Sequence, residues 1–183
     1  NDFSSLRVCV IGDLIIDEYI TCEPLGMSQE DPTIVVTPID TTKFIGGAGI
    51  VAAHASGLGA EVNFISVVGN DSSHIVAENK LSEFGVSASL IVDDGRPTTV
   101  KQRFRSKGKT LLRVSHLHQS TISPSLQSIF LRHLISIIEK VDLLVFSDFN
   151  YGCLPQSLVD QILTLAKENN VMLAADSQSS SQI

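Results

Sequence analysis

Val10-Ile-Gly-Asp13-Leu-Ile-Ile-Asp17-Glu-Tyr19 closes a short apolar, β-branched run on a glycine and an aspartate. Such a run, residues 8–11, suits a strand buried on both faces that opens into a loop at its carboxyl end. The same pattern returns at residues 62–68, which end on Gly69-Asn70-Asp71. Between the two, residues 47–58 are rich in small apolar side chains and close with Gly57 and Gly59, as suits a helix packed tightly on a sheet. Strand, helix and strand in that order make a parallel β-α-β unit.

Working outward, the alternation continues. Asp71 stands at the N-cap position of a helix over residues 72–84, where Ala77, Leu81 and Phe84 recur at i, i+4 and i+7 and Gly85 supplies the stop. Residues 125–139 follow Pro124, a residue favoured in a first helical turn, and carry Leu126, Phe130, Leu134, Ile137 and Ile138 on one face. Residues 143–146 read as a buried strand, 155–168 as a helix with Leu158, Val159, Ile162 and Ala166 inward, and 171–175 as another strand. The series predicts an α/β fold, a mostly parallel sheet flanked by helices, with ligands at the carboxyl ends of its strands. Residues 19–22 with 34–38, and 100–106 with 110–114 across Gly108, fall outside the alternation and predict a small β lid beside the main sheet. No repeat or linker divides the chain, so all 183 residues read as part of one domain.

With 43% hydrophobic residues, the chain can bury one substantial core. A net charge of −7 argues against a general nucleic-acid binder, which needs a basic face to displace counterions from phosphate. Cys9, Cys22 and Cys153 have no Cys-x-x-Cys spacing and read as reduced thiols, which points to the cytoplasm. No run of 18 apolar residues is present and the first seven residues lack the order of a secretory signal, so no membrane association is expected. Asn1 and the Ser/Gln-rich residues 176–183 read as cuts in a longer polypeptide.

Charge is concentrated where chemistry is expected. Six of the 13 Lys and Arg residues, and no acid, fall between Lys101 and Arg113. Lys101, Arg103, Arg105 and Lys107 are spaced by two, which puts them on one face of a strand. That face can receive an anionic group, Arg through its planar fork and Lys as a point charge; it reads equally as a strand edge protected by charge. Asp13 and Asp17 follow the first strand, where carboxylates can accept sugar hydroxyls or form turns and caps. Gly46-Gly47-Ala48-Gly49 opens the first helix and lets backbone approach a ligand or a neighbouring strand, but it matches neither a Walker A loop nor a Rossmann fingerprint. Asp148 ends an apolar strand and stands at a ligand edge or caps a turn. His116 and His118 lack the further ligands that a metal would need.

Taken in order, these motifs resemble the ribokinase-like (PfkB) carbohydrate kinases, nearest to heptose-phosphate kinases, over almost the whole chain. The stretch from Val10 to Tyr19 is similar to the start of that group, Phe44-Ile-Gly-Gly-Ala-Gly to its Gly-Gly signature, Leu58-Gly-Ala to its helix end, and Val68-Gly-Asn-Asp to the end of its second strand. Residues 97–113 look like the lid hairpin, Ser147-Asp-Phe-Asn-Tyr-Gly like Ser-Asp-Tyr-x-Lys-Gly, and Glu30-Asp31-Pro32 like the Glu-x-Pro of the first lid pair. The resemblance implies a ribokinase-like fold with lid strands over about residues 18–44 and 98–115, incomplete on its C-terminal, nucleotide side. It implies a sugar or sugar-phosphate site formed by Asp13, Asp17, Gly46, Gly47, Lys101, Arg103, Arg113 and Asp148. For the complete protein it implies ATP and Mg²⁺, neither bound fully by these residues, and a homodimer clasped through the lid.

Three positions depart from the family pattern. Ile50 stands where Asn contacts sugar hydroxyls, Tyr151 where heptose kinases have Lys, and Asp176-Ser177-Gln178 where they have Asp-Pro-Lys. The family's catalytic aspartate and Gly-Ala-Gly-Asp anion hole have no counterpart in these 183 residues. The expectation is therefore the sugar-recognising part of an ATP-dependent carbohydrate kinase, inactive alone. The alternative is a non-catalytic module kept for dimerisation or ligand sensing.

Overall fold

The computed structural model describes residues 3–177. Nine strands and four helices follow the chain as β1 (Arg7–Gly12), β2 (Leu14–Met27), β3 (Ile34–Gly47), α1 (Ala48–Gly57), β4 (Glu61–Val68), α2 (Ser72–Glu83), β5 (Ser87–Val92), β6 (Val100–Ser106), β7 (Lys109–His116), α3 (Pro124–Ile135), β8 (Leu143–Asp148), α4 (Gln156–Glu168) and β9 (Met172–Ser177). The main sheet has the order β5-β4-β1-β8-β9 and every pair in it is parallel.

Its apolar runs are buried on both faces because helices cover both sides. Along β1, Cys9 and Ile11 join Phe130 and Leu134 of α3 and Leu158 and Ile162 of α4. Val8 and Val10 point the other way, to Ala52 and Ala53 of α1 and Ala77 and Leu81 of α2. The small residues of α1 let its backbone lie close against the sheet. Asp71 caps α2 as the sequence predicts, its carboxylate accepting from the Ser73 and His74 N–H groups. β9 differs from the rest of the sheet, being exposed at each of its positions.

The second sheet, in the order β3-β2-β6-β7, corrects the expected strand pairs. β2 and β3 run 14 residues each, and Tyr19 faces Thr42 while Cys22 faces Pro38, so the partner of residues 19–22 is 38–42 and not 34–38. Register shifts at Thr21/Cys22 and Pro24/Gly26 break the alternation that would have revealed the full length. β2 also pairs in parallel with β6, which joins the two hairpins into one sheet. Two further differences concern single elements. β5 is an edge strand beginning Ser-Ala-Ser, too polar to be read as an apolar run. The helix expected over residues 125–139 ends at Ile135 and resumes as a 3-10 turn at Ile138–Lys140, whose buried Ile138 prolongs the apolar spacing past the break.

Candidate functional site

Only Asp13 separates β1 from β2, and neighbouring elements pin the chain there. The Asp13 N–H donates to the Ser147 carbonyl at 3.2 Å, and the Asp13 carbonyl accepts from the Ala48 N–H at 2.9 Å. Ser66 of β4, fully buried, donates its hydroxyl to the Gly12 carbonyl at 2.7 Å and accepts from the Leu14 N–H at 3.2 Å. Gly47 has φ +57°, and a Cβ there would collide with the Asp13 carbonyl. The carboxyl end of β1, the end of β3 and the start of α1 are thereby drawn together.

The two aspartates are put to different uses. Asp13 is 4% exposed, and its carboxylate accepts from the backbone N–H groups of Phe149 at 2.8 Å, Tyr151 at 3.2 Å and Cys153 at 3.2 Å. Burial pushes its pKa up; the bonds from Phe149 and Tyr151 draw it back, and the charge of Asp148 adds to the rise. The Asp13 oxygens thus hold loop 149–153 against the sheet. Asp17, by contrast, lies within β2, on the face that it shares with Tyr19.

Register gathers the cations on that same face. Asp17 faces Lys101, Tyr19 faces Arg103 and Thr21 faces Arg105 across the parallel pair, while Arg103 faces Arg113 of β7. Asp17 pairs with Arg103, whose protonation that hydrogen bond reinforces. The Arg103 and Arg105 guanidiniums lie 5.2 and 5.6 Å from the Tyr19 ring centroid, within cation–π range. Phe44 of β3 meets the Tyr19 ring edge-on at 5.6 Å.

Two hollows open along this face. The first, about 600 Å³, is lined by Asp17, Tyr19, Phe44, Gly46, Gly47, Ile50 and Arg105, among others. The second, about 270 Å³, is lined by Lys101, Gln102, Arg103, Arg113, Ser115, Leu117 and Tyr151. The Asp17–Arg103 pair contributes its carboxylate to the first and its guanidinium to the second. Of the four cations expected on one face, Lys101 and Arg103 reach the second hollow and Arg105 the first, while Lys107 sits in the β6–β7 turn with φ +46°.

Loop 149–153 closes the second hollow. Lys101 Nζ lies 5.1 Å from the centroid of Tyr151 and 5.6 Å from that of Phe149, and the two rings stack at 6.4 Å. A cation thus stands beside Tyr151, at the position where the resemblance implies a Lys, but it comes from β6. Arg96 steadies the loop, donating to the Tyr151 and Ser120 carbonyls at 3.1 and 2.9 Å and pairing with Asp93 at 2.8 Å. Asp148 lines neither hollow and accepts from the Asn150 N–H at 2.9 Å, the turn-forming use that the sequence also allowed. Of Asp176-Ser177-Gln178, Gln178 lies outside the described residues.

The sequence reading missed Ser66, Tyr19 and Arg96. Ser66 was signalled by a hydroxyl in the middle of the apolar run 62–68, and Tyr19 by its two-residue spacing from Asp17. On the reverse face of the second sheet Glu18 binds Lys43 and Gln102, and His116 approaches Gln102 at 3.1 Å. Among the described residues, no three His, Cys, Asp or Glu side chains gather as a metal site would need, and no helix is long and apolar enough to cross a membrane.

The sequence pattern of the pfkB family carbohydrate kinases matches residues 5–183. The chain is 35% identical over 175 residues to the bifunctional protein HldE of Desulfatibacillum aliphaticivorans, and 34% identical over 175 residues to that of Helicobacter hepaticus. These alignments cover 95% and 94% of the chain but 36% of each relative, so the chain spans little more than a third of their length. Among solved structures, a carbohydrate kinase from Agrobacterium tumefaciens superposes with a TM-score of 0.69 at 21% identity, over 93% of this chain and 53% of that one. Ribokinase from Giardia lamblia does so with 0.65 at 16% identity, over 98% and 53%. At such identities the likeness is one of fold, a ribokinase-like α/β arrangement.

Proposed function

From the premise that this chain belongs to the pfkB family of carbohydrate kinases, we propose that it forms the sugar-recognising part of an ATP-dependent kinase acting on a sugar or sugar phosphate of the heptose class. The observation that carries the reading is the meeting of a carboxylate-bearing hollow and a cationic hollow on one face of the second sheet, beside the carboxyl end of β1. Asp17 is suited to accept sugar hydroxyls, and Lys101, Arg103 and Arg113 suit a phosphate. The second sheet acts as the lid, and two copies clasp through it in the cytoplasm.

In this reading the ATP–Mg²⁺ part of the reaction is not assigned to these residues, which contain no Walker A or Gly-Ala-Gly-Asp sequence to cradle phosphate. Transfer to a hydroxyl needs a base on that hydroxyl and fixed donors at the developing charge. The 183-residue chain is therefore expected to give no ADP release above background with heptose phosphates, fructose phosphates or ribose in a coupled assay. Turnover that survives repurification would contradict this division of labour.

A second reading, a non-catalytic dimerisation or ligand-sensing module, is favoured by Ile50. It puts an apolar side chain into the first hollow where the resemblance implies an amide. Dimerisation without any affinity for sugar phosphates would support that reading over the first.

A further inference from the structure

Among the described residues, Asp17 is the one carboxylate lining the first hollow, and it is engaged by Arg103 of the second. Tyr19 and Thr42 add hydroxyls to the lining and Ile45, Gly46, Gly47 and Ile50 add no polar side chain, so Asp17 is its charged acceptor for sugar hydroxyls. While Asp17 Oδ1 is held by Arg103, one of its two oxygens is taken. Oδ2 lies against Gly46, in the space that a Cβ at that position would take. Arg103, meanwhile, has cationic neighbours on its other side, Lys101 and Arg113, and the second hollow contains no carboxylate of its own.

Resting on the sugar-phosphate reading above, we propose that Arg103 couples the two hollows. An anion between Lys101 and Arg113 draws the guanidinium off Asp17, and the released carboxylate becomes free to accept hydroxyls in the first hollow. A phosphorylated sugar is then selected over its neutral counterpart by cooperation between the sites, beyond the affinity of the phosphate alone. Linkage makes the effect reciprocal: a hydroxyl ligand on Asp17 releases Arg103 and tightens anion binding by the same factor.

The test is calorimetric titration of the 183-residue chain with a neutral heptose, in the absence and presence of saturating inorganic phosphate. Phosphate is expected to tighten heptose binding by about 5-fold or more, the lower range of typical coupling between sites. Arg103→Gln should bind neutral heptose at the tightened affinity without phosphate and be indifferent to its addition. Asp17→Asn, which keeps the shape and removes the charge, should bind inorganic phosphate several-fold more tightly than the unchanged chain. Heptose affinity unchanged or weakened by phosphate overturns the coupling and leaves the sugar-binding reading standing. Phosphate affinity unchanged or reduced in Asp17→Asn overturns it as well, and needs no sugar to be read. Failure of heptose and heptose phosphate to bind under any condition would instead remove the sugar-binding reading itself.

Discussion

Asp13 and Asp17 are four positions apart in one motif, and their neighbours divide the work between them. The Asp13 side chain gathers three backbone donors from a loop more than 130 positions away, while Asp17 faces a cation across a strand pair. Asn at position 13 keeps one carbonyl oxygen but offers an NH₂ group in place of the other, so at least one of the three N–H groups loses its acceptor. Asp13→Asn should destabilise the chain by about 1–3 kcal/mol, the size expected for stranding a buried donor, with the cost of burying the charge offsetting part of the loss. Thermal unfolding checks it: a fall in Tm on the order of 10 °C is expected for a chain of this size, and an unchanged Tm would show that the loop is held by other means. The motif's presence was legible in the sequence, but this division was not. It depends on backbone brought in by β8, which no local spacing reveals. Ser66 was hidden for the same reason, since its partners at Gly12 and Leu14 belong to another strand.

At the scale of elements, the parallel sheet was readable because its strands are continuous apolar runs ending at Gly-Asp or Gly-Asn-Asp, with helices of regular period between them. β5 escaped because it begins Ser-Ala-Ser at the sheet edge and leaves Leu90 and Ile91 to pack, one against each helical layer. β2 and β3 were read too short because bulges interrupt their alternation and Pro24, Gly26 and Pro38 mimic turns. The Gly-Gly end of β3 shows how closely these elements meet. Gly46 lies beside the Asp17 carboxylate, and an added Cβ would sit inside van der Waals distance of it. Gly46→Ala should therefore displace the Asp17 carboxylate from the first hollow itself, which loses its hydroxyl acceptor however Arg103 is engaged, and lower sugar affinity on the order of tenfold, about 1.4 kcal/mol. Near-native stability should accompany it, because φ at this position is not in the left-handed region. Equilibrium binding and thermal melts together check this; unaltered affinity would mean that Asp17 is not held to a fixed position by Gly46.

For the whole molecule, the clasp expected from the sequence needs a corrected surface. Ile20, within the lid, is 6% exposed in a single chain and cannot serve as an interface residue without rearrangement. Leu25, Met27, Ile34, Val35, Ile39 and Phe44 are exposed apolar residues of the β2–β3 hairpin, and the outer edge of β3 is unpaired among the described residues. An isologous pair through that hairpin is the expected assembly. Light scattering should give twice the 19.7 kDa chain mass, and Val35→Asp with Ile39→Asp should return it to one chain; a monomer at high micromolar concentration would rule out the clasp. On the inner face of the same sheet, Lys101, Arg103 and Arg113 are proposed to receive the phosphate of a sugar phosphate. The most direct test compares the affinity of a heptose phosphate for the unchanged chain and for the Lys101→Ala, Arg113→Ala double variant, with the neutral heptose measured alongside. The account predicts a loss on the order of a hundredfold for the phosphorylated sugar, from two charge-assisted bonds discounted for exposure, with the neutral sugar little changed. Equal affinities of the two proteins for the heptose phosphate would contradict it.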